Sequence, residues 1–239
     1  DMSNEFKILK NPKYRYLRYK TKVNGLVVAN REVFLPTNKN GKLKGYTIIV
    51  NAGHGYSQAT HPDPGAVVEK DGLKHEWILN YDNSMKLISQ LQAQGARVIF
   101  LQGYKFLIQK AMKEEENKGD LFISVHANTG NGKSSPVDRP QFYYRDNVEK
   151  GEARTRSIKF AKKAEEIFDN NYNSKKYSQV STNDERTGVL KAAVRTQKIP
   201  GIIWEVAFMD SPEGRKRLQN ETTMNDYSRL MTPAVIKHF

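Results

Sequence analysis

Residues 46–54 read Tyr46-Thr-Ile-Ile-Val-Asn-Ala-Gly-His54, a short apolar run that passes directly into a histidine. An apolar run of this length, bounded by a turn-forming residue, is typical of a strand buried on both faces of a sheet. Gly53 allows the backbone to turn sharply at the end of that strand. The stretch therefore predicts a buried strand that presents His54 at its carboxyl end.

Comparable apolar runs recur along the chain and alternate with stretches of helical periodicity. Further strands are predicted at 97–101, 121–125, 141–144 and 201–204, and helices at 76–94, 152–170, 212–218 and 225–237. Another, charged helix is predicted to run through 113–116. Strands that alternate with helices in this way are typical of an α/β domain with a mainly parallel sheet.

The first part of the chain follows a different pattern. Residues 14–20 alternate aromatic or apolar residues with basic ones, and residues 26–30 form a second strand-like run. A polar connector with glycines follows at 37–45. We therefore predict a small β-rich N-terminal extension at 1–44 and a catalytic domain at 45–239.

The composition limits both the metal ligands and the partners of this chain. The 239 residues include no cysteine, so disulfides and thiolate metal sites are excluded and any transition metal must be bound by His, Asp or Glu. The formal net charge of +13 favours an anionic partner, such as an acidic wall polymer or a membrane surface. No RNA-binding pattern accompanies the charge, and we expect no specific nucleic acid partner.

The chain carries no membrane-spanning signal. No apolar run approaches the ~20 residues that cross a bilayer, and the first ten residues lack the apolar core of a signal peptide. We expect a secreted protein, with any such peptide either removed or never part of this sequence, and we expect it to be a monomer.

Three predicted strands end in a residue that is suited to chemistry. His54 follows the first strand, His126 follows the strand at 121–125, and Glu205 follows the strand at 201–204. Each has an ordinary explanation when it is taken alone: a loop histidine, a hydrogen-bonded core histidine, or a carboxylate paired with an arginine. Active sites of open α/β sheets form beyond the carboxyl ends of the strands. Together the three residues therefore indicate a catalytic zinc site, which uses three protein ligands and leaves a position for water.

The third ligand is left open by this reasoning. Five residues between the first strand and the first long helix are candidates: His61, Glu69, Asp71, His75 and Glu76. The start of that helix is favoured because it packs beside the end of the first strand. His238, close to the last residue, is interpreted as a bystander.

An ordered set of motifs covers the chain from residue 46 onward. The motifs are Gly53-His-Gly55, Asp63-Pro-Gly-Ala66, Gly72-Leu-Lys74, Glu76 with Asn80, Asp120-Leu-Phe-Ile-Ser-Val-His-Ala-Asn128, and Arg195…Pro200…Glu205…Phe208. Each motif is weak by itself, but their order is specific. In this order they resemble the zinc-dependent N-acetylmuramoyl-L-alanine amidases of bacterial cell walls.

The resemblance implies a twisted sheet of about six strands flanked by helices. It implies one Zn²⁺ per chain, bound by His54, Glu76 and His126, with Glu205 as the catalytic carboxylate. Glu76 is selected over His75 because the family ligand is followed four residues later by an asparagine, here Asn80. The implied substrate is peptidoglycan, and the implied location is the cell wall or the periplasm.

Candidate substrate contacts are Arg195, Arg186 and Asn128. The spacing of the two arginines from Glu205 suits contact with the carboxylates of a peptide stem, although a structural ion pair explains them equally well. The sequence also departs from the family pattern near the site. The departures are Asn51-Ala52 before the glycine–histidine motif, an insertion at 56–61, Gln102 after the second strand, and Ala207 in place of a frequent glycine.

The predicted reaction is hydrolysis of the amide between N-acetylmuramic acid and L-alanine by a zinc-activated water. A zinc peptidase that cuts within the stem peptide could use the same metal site. A wall-binding module with an inactive site is a second alternative, and a nucleic acid binder, supported by the charge alone, is a third.

Overall fold

The computed structural model of this chain describes residues 2–10, 15–23, 26–55, 63–103, 108, 111–113, 118–130, 139–145, 151–172 and 188–239. Eight strands in these ranges form one sheet. In chain order they are β1 (Met2–Lys10), β2 (Arg15–Val23), β3 (Leu26–Phe34), β4 (Thr47–Ala52), β5 (Arg97–Gly103), β6 (Leu121–Asn128), β7 (Gln141–Tyr143) and β8 (Gly201–Phe208). Across the sheet their order is β1-β2-β3-β5-β4-β6-β8-β7.

The centre of the sheet is parallel. β4 pairs with β5 on one side and with β6 on the other, and β6 pairs with β8. These strands are apolar almost throughout, as is usual for parallel strands covered on both faces. Because parallel strands point the same way, their carboxyl ends meet at one edge of the sheet, where the site lies.

Antiparallel strands flank this centre on both sides. β7 pairs with β8, while β3 pairs with β5 and carries β2 and β1 outward as a meander. The predicted α/β class is confirmed, and the sheet is mixed. Within the described ranges the sheet has eight strands, because the three amino-terminal strands of the predicted β-rich extension join it through the pairing of β3 with β5. The division of the chain at residue 44 stays a prediction.

Helices cover both faces of the sheet. They are α1 (Glu76–Ala93), α2 (Glu152–Tyr172), the short α3 (Gly188–Leu190) continued by a π-helical segment (Lys191–Thr196), α4 (Pro212–Gln219) and α5 (Glu221–His238). α4 and α5 begin at capping residues, since the side chains of Ser211 and Asn220 accept hydrogen bonds from backbone N–H groups of the first turn. α1, α2, α4 and α5 lie close to their predicted ranges, whereas α3 and the π-helical segment were not predicted. Most of the charged helix predicted to run through 113–116 falls outside the described residues.

The two faces of the sheet bury two separate cores. The larger core contains Phe100, Trp204 and Tyr227 and is covered by α1, α2 and α5. The smaller core lies on the opposite face, where Phe122 and Ile203 pack with residues of α3 and the π-helical segment. Within the described ranges, no helix combines the length and apolarity that a membrane crossing requires.

Candidate metal centre

Two histidines lie at the carboxyl ends of neighbouring strands. His54 follows β4, and His126 lies near the end of β6. His54 adopts a left-handed backbone conformation with φ 58°, which is uncommon outside glycine. Glycine at position 53 lets the turn after β4 approach the His126 ring, because a Cβ at this position would lie 2.1 Å from Cε1 and Nε2 of that ring. The rings meet edge to face with centroids 5.0 Å apart.

A buried carboxylate lies between these histidines. Glu76 is the first residue of α1 and is only 5% exposed. Its Oε2 lies 3.3 Å from His54 Nε2, and its Oε1 lies 3.1 Å from His126 Nδ1. One ligand atom from each of the three residues can be chosen so that all lie within 4.8 Å of one another. The structure therefore brings together the three residues that the resemblance implied as metal ligands.

A short loop fixes the start of α1. The Glu76 N–H donates to the Ala66 carbonyl (3.0 Å), and the Ala66 N–H donates to Glu76 Oε2 (2.7 Å). Gly65 has φ 65°, and a Cβ there would lie 2.5 Å from Glu76 Oε2. The glycine of the Asp-Pro-Gly motif is thus required both by its conformation and by its closeness to the carboxylate.

Asp63 holds the first histidine from the opposite side. Its Oδ1 lies 2.7 Å from His54 Nδ1, which leaves Nε2 directed toward Glu76. The N–H of Gly55 donates to the Asp63 carbonyl (3.0 Å), so the chain is closed by a β-bridge at this point. Sequence reasoning quoted Asp63 only as part of a motif and assigned it no role. A search for an acidic residue close in sequence to His54 would have found it, because a carboxylate is one of the usual partners of the second ring nitrogen of a metal-binding histidine.

The electrostatics of the cluster favour positive charge. Burial lowers the pKa of His54, but hydrogen bonds to Asp63 and Glu76 and the charges of both carboxylates outweigh it and raise this pKa to about 10. Burial would raise the pKa of Glu76, yet hydrogen bonds from His126 and His54 hold it well below its usual range. The hydrogen bond to His54 lowers the pKa of Asp63. The site is therefore arranged to hold cationic charge between its carboxylates.

A cavity of about 530 Å³ opens beside the three residues. Glu205 of β8 lines it, and this residue is paired in register with His126 on the neighbouring parallel strand. Side chains of paired residues leave a sheet on the same face. Glu205, the third strand-end residue of the sequence analysis, therefore shares one cavity with the three candidate ligands.

Asn128 lines the same cavity, but its hydrogen-bonding groups are largely engaged. Its Nδ2 donates to Gln141 Oε1 (3.0 Å) and to the Tyr143 hydroxyl (3.1 Å), while its Oδ1 accepts from the Thr129 N–H (2.8 Å). Tyr143 in turn donates to Gln141 Oε1 (2.6 Å). In this arrangement Asn128 retains one acceptor lone pair for a substrate and no donor.

Within the described residues, the structure does not place the other candidate ligands and substrate contacts in this cluster. Glu69 and His75 are exposed, and Asp71 accepts a hydrogen bond from Arg215 Nε (2.6 Å) away from the cluster. His61 and Arg186 lie outside the described residues. Arg195 lies in the π-helical segment, and its side chain lies outside the described part. Substrate contact by the two arginines stays a prediction.

Comparison with known proteins agrees with this geometry. A sequence profile described as N-acetylmuramoyl-L-alanine amidase matches residues 48–237. An uncharacterised cell wall amidase of Bacillus anthracis is 23% identical over 210 residues, which cover 86% of this chain and 38% of that protein. The chain thus spans well under half the length of this relative.

Solved structures share the fold. An N-acetylmuramoyl-L-alanine amidase from Clostridium difficile 630 is similar with a TM-score of 0.65 and 18% identity, over 83% of this chain and 96% of that one. The CwlD amidase of Clostridioides difficile, solved in complex with the GerS lipoprotein, also gives 0.65, with 21% identity over 81% and 98%. The Ami1 amidase of Mycobacterium smegmatis gives 0.64 with 14% identity, over 82% and 97%. With its profile match across most of the sequence, this chain belongs to the N-acetylmuramoyl-L-alanine amidase family.

Proposed function

We propose that this chain is a zinc-dependent peptidoglycan hydrolase that cleaves the amide between N-acetylmuramic acid and the L-alanine of the stem peptide. The observation that carries the proposal is the convergence of His54, Glu76, His126 and Glu205 on one cavity. The bond proposed to be cleaved is the one that the family description names. The residues supply the chemistry that the cleavage needs.

The donor set fits zinc. Two imidazoles and one carboxylate are a common protein ligand set of catalytic zinc sites, which keep one position open. The carboxylate between the two rings is buried, while the cavity beside it admits a substrate. The contact between Asp63 and His54 adds an outer carboxylate of the kind that orients many ligating histidines. When bound, zinc lowers the pKa of a water toward ~7 and polarises the carbonyl of the amide.

We assign Glu205 the proton transfers of the reaction. Its carboxylate accepts a proton from the attacking water and delivers that proton to the departing nitrogen of L-alanine. The amide C–N bond breaks, and the lactyl carboxylate and the free amine are the products. Placing Glu205 on β8, a strand buried in the sheet, keeps this carboxylate in a fixed position relative to His126.

The proposed setting is the bacterial cell wall or the periplasm, where the substrate occurs. The formal net charge of +13 supports retention on an anionic wall polymer or membrane surface. We further propose that Arg186, Arg195 and Asn128 contact the substrate. Asn128 would contact a hydrogen-bond donor of the substrate, because its own hydrogen bonds leave it with one free acceptor lone pair.

The test is product analysis. Purified, zinc-loaded protein is incubated with peptidoglycan, and the released fragments are identified by mass spectrometry and N-terminal labelling. We expect intact stem peptides with a new N-terminal L-alanine. New termini inside the stem would identify a zinc peptidase instead, and an absence of any zinc-dependent release would indicate an inactive wall-binding module.

A further inference from the structure

Asn80 lies one helical turn after Glu76 and faces the same site. Residues four apart on an α-helix are neighbours on one face, and Asn80 is fully buried, with an exposure of 0%. Its Nδ2 donates one hydrogen bond to the Gly53 carbonyl (2.9 Å) and another to Glu76 Oε1 (3.2 Å). Both hydrogens of a single amide group are therefore used within the surroundings of the metal centre.

The orientation of this amide follows from its neighbours. The Gly53 carbonyl and the Glu76 carboxylate are both acceptors, so only the NH₂ end of Asn80 can face them. The Asn80 Oδ1 is buried and has no hydrogen-bond partner within the described part of the chain. A buried acceptor without a partner costs free energy of folding. The two donated hydrogen bonds are therefore the interactions that favour an asparagine at this position.

The two acceptors belong to different ligand-bearing segments. Gly53 precedes His54, and its Cα lies against the His126 ring, while its N–H donates to the Val125 carbonyl (2.8 Å). Glu76 belongs to α1. Asn80 consequently joins two segments. One is the turn that carries His54 and lies against the His126 ring, and the other is the helix that carries Glu76.

We propose that Asn80 is a positioning residue that sets the relative placement of the three metal ligands and thereby the affinity of the site for zinc. The proposal rests on the proposed zinc function of this cluster. Asn80 is not among the described residues that line the cavity, and it acts through its hydrogen bonds to Gly53 and Glu76. Loss of an outer contact of this kind typically weakens metal binding by about 10- to 100-fold.

The test compares Asn80→Leu with Asn83→Leu. Asn83 lies on the same helix, is 3% exposed, and makes no hydrogen bond to the three ligands in the described structure. Leucine has the same number and branching of side-chain heavy atoms as asparagine, so both variants keep the helix face filled while removing the hydrogen-bonding groups of the amide. The zinc Kd is measured by competition with a chromophoric chelator, and thermal unfolding is measured for the zinc-free proteins.

We expect zinc binding to weaken about 10- to 100-fold in Asn80→Leu and less than about twofold in Asn83→Leu. The zinc-free Tm of Asn80→Leu is expected to fall no further than that of Asn83→Leu. Equal zinc affinity in the two variants, or an affinity loss that simply follows the loss of Tm, overturns the positioning role while leaving the zinc function intact. A wild-type chain that binds no zinc would instead refute the proposed function and the positioning role with it.

Discussion

His126 and Glu205 are paired in register on the neighbouring parallel strands β6 and β8, so their side chains leave the sheet on the same face. One is a proposed metal ligand and the other the proposed proton acceptor. The hydrogen bonds of the sheet centre, and no flexible loop, therefore set the spacing between them. This arrangement favours a preorganised site, since both residues are held by strands buried in the core.

Because His126 and Glu205 have different proposed roles, their substitutions are predicted to affect zinc binding and hydrolysis differently. His126→Ala is expected to lose both zinc binding and hydrolysis, because a ligand is removed. Glu205→Ala should keep zinc binding but lose at least about 100-fold in kcat, the usual worth of a positioned acid–base group. Zinc content and release of labelled peptidoglycan are the measurements. Glu213→Ala, on the exposed face of α4, serves as the carboxylate control. Near-normal turnover of Glu205→Ala would contradict the mechanism.

Gly53→Ala is predicted to disrupt the metal centre directly. The added Cβ would lie 2.1 Å from atoms of the His126 ring, so the ring must move. We expect zinc affinity to fall at least about tenfold, as for other disturbances around a ligand. Gly72→Ala is the control, because Gly72 has φ 66° but open space around its Cα. That variant should lose about 1 kcal/mol of stability through backbone strain and keep its zinc affinity. Unchanged zinc binding in Gly53→Ala would show that the close approach is not needed.

The ion pair between Asp71 and Arg215 is predicted to stabilise the loop before α1. Arg215 is buried, and it donates from Nε to Asp71 Oδ2 (2.6 Å) and from Nη1 to the Met209 carbonyl (3.3 Å). Asp71→Asn keeps a residue that tolerates the left-handed φ of 56° but removes the charge. We expect a loss of about 1 kcal/mol in the free energy of unfolding in urea. Asp82→Asn, which removes the exposed pair with Lys74, should cost less than about 0.5 kcal/mol. Equal costs would argue against a special role for the Asp71 pair.

Acid destabilisation is predicted at His238. Burial, assisted by the charge of Arg156, lowers the pKa of this ring to about 4, and the ring accepts a hydrogen bond from Arg156 Nη2 (3.0 Å). The unfolded chain binds a proton near pH 6.5, whereas the folded chain does not until about pH 4. Stability should therefore fall as the pH decreases from 6.5 to 4, and this contribution should level off below 4.

The check on His238 is a difference measurement. The wild type and His238→Gln are unfolded in urea at pH 7 and at pH 4.5. Since the ring is partly exposed, we expect the wild type to lose on the order of 1 kcal/mol relative to the variant between these values. Parallel pH profiles for the two proteins would show that His238 does not titrate in this way.

The strand pattern of the sequence was sufficient to locate His54, His126 and Glu205. Buried parallel strands are short apolar runs, and a polar residue at the end of such a run is recognisable without a structure. The third proposed ligand was not recognisable in this way. Glu69, Asp71, His75 and Glu76 all lie in the same segment, and only the path of the backbone decides which of them turns inward.

Contacts between distant segments were beyond sequence reasoning. The antiparallel pairing of β3 with β5 depends on which strand edge is available, and no local pattern encodes that choice. The network around Asn128 depends in the same way on β7, a strand of three residues. The resemblance to a family supplied the ligand set, while the structure supplied the hydrogen bonds that hold it.

The β-bridge between Gly55 and Asp63 has a consequence for the length of the segment between them. The bridge joins the chain on either side of residues 56–62, and the His54–Asp63 contact lies beside it, so the contacts that place these two residues are made outside the intervening segment. Doubling the length of such a segment adds only about 0.6 kcal/mol of closure entropy. A longer connection between these two residues can therefore be accommodated without displacing the side chains of the candidate metal centre.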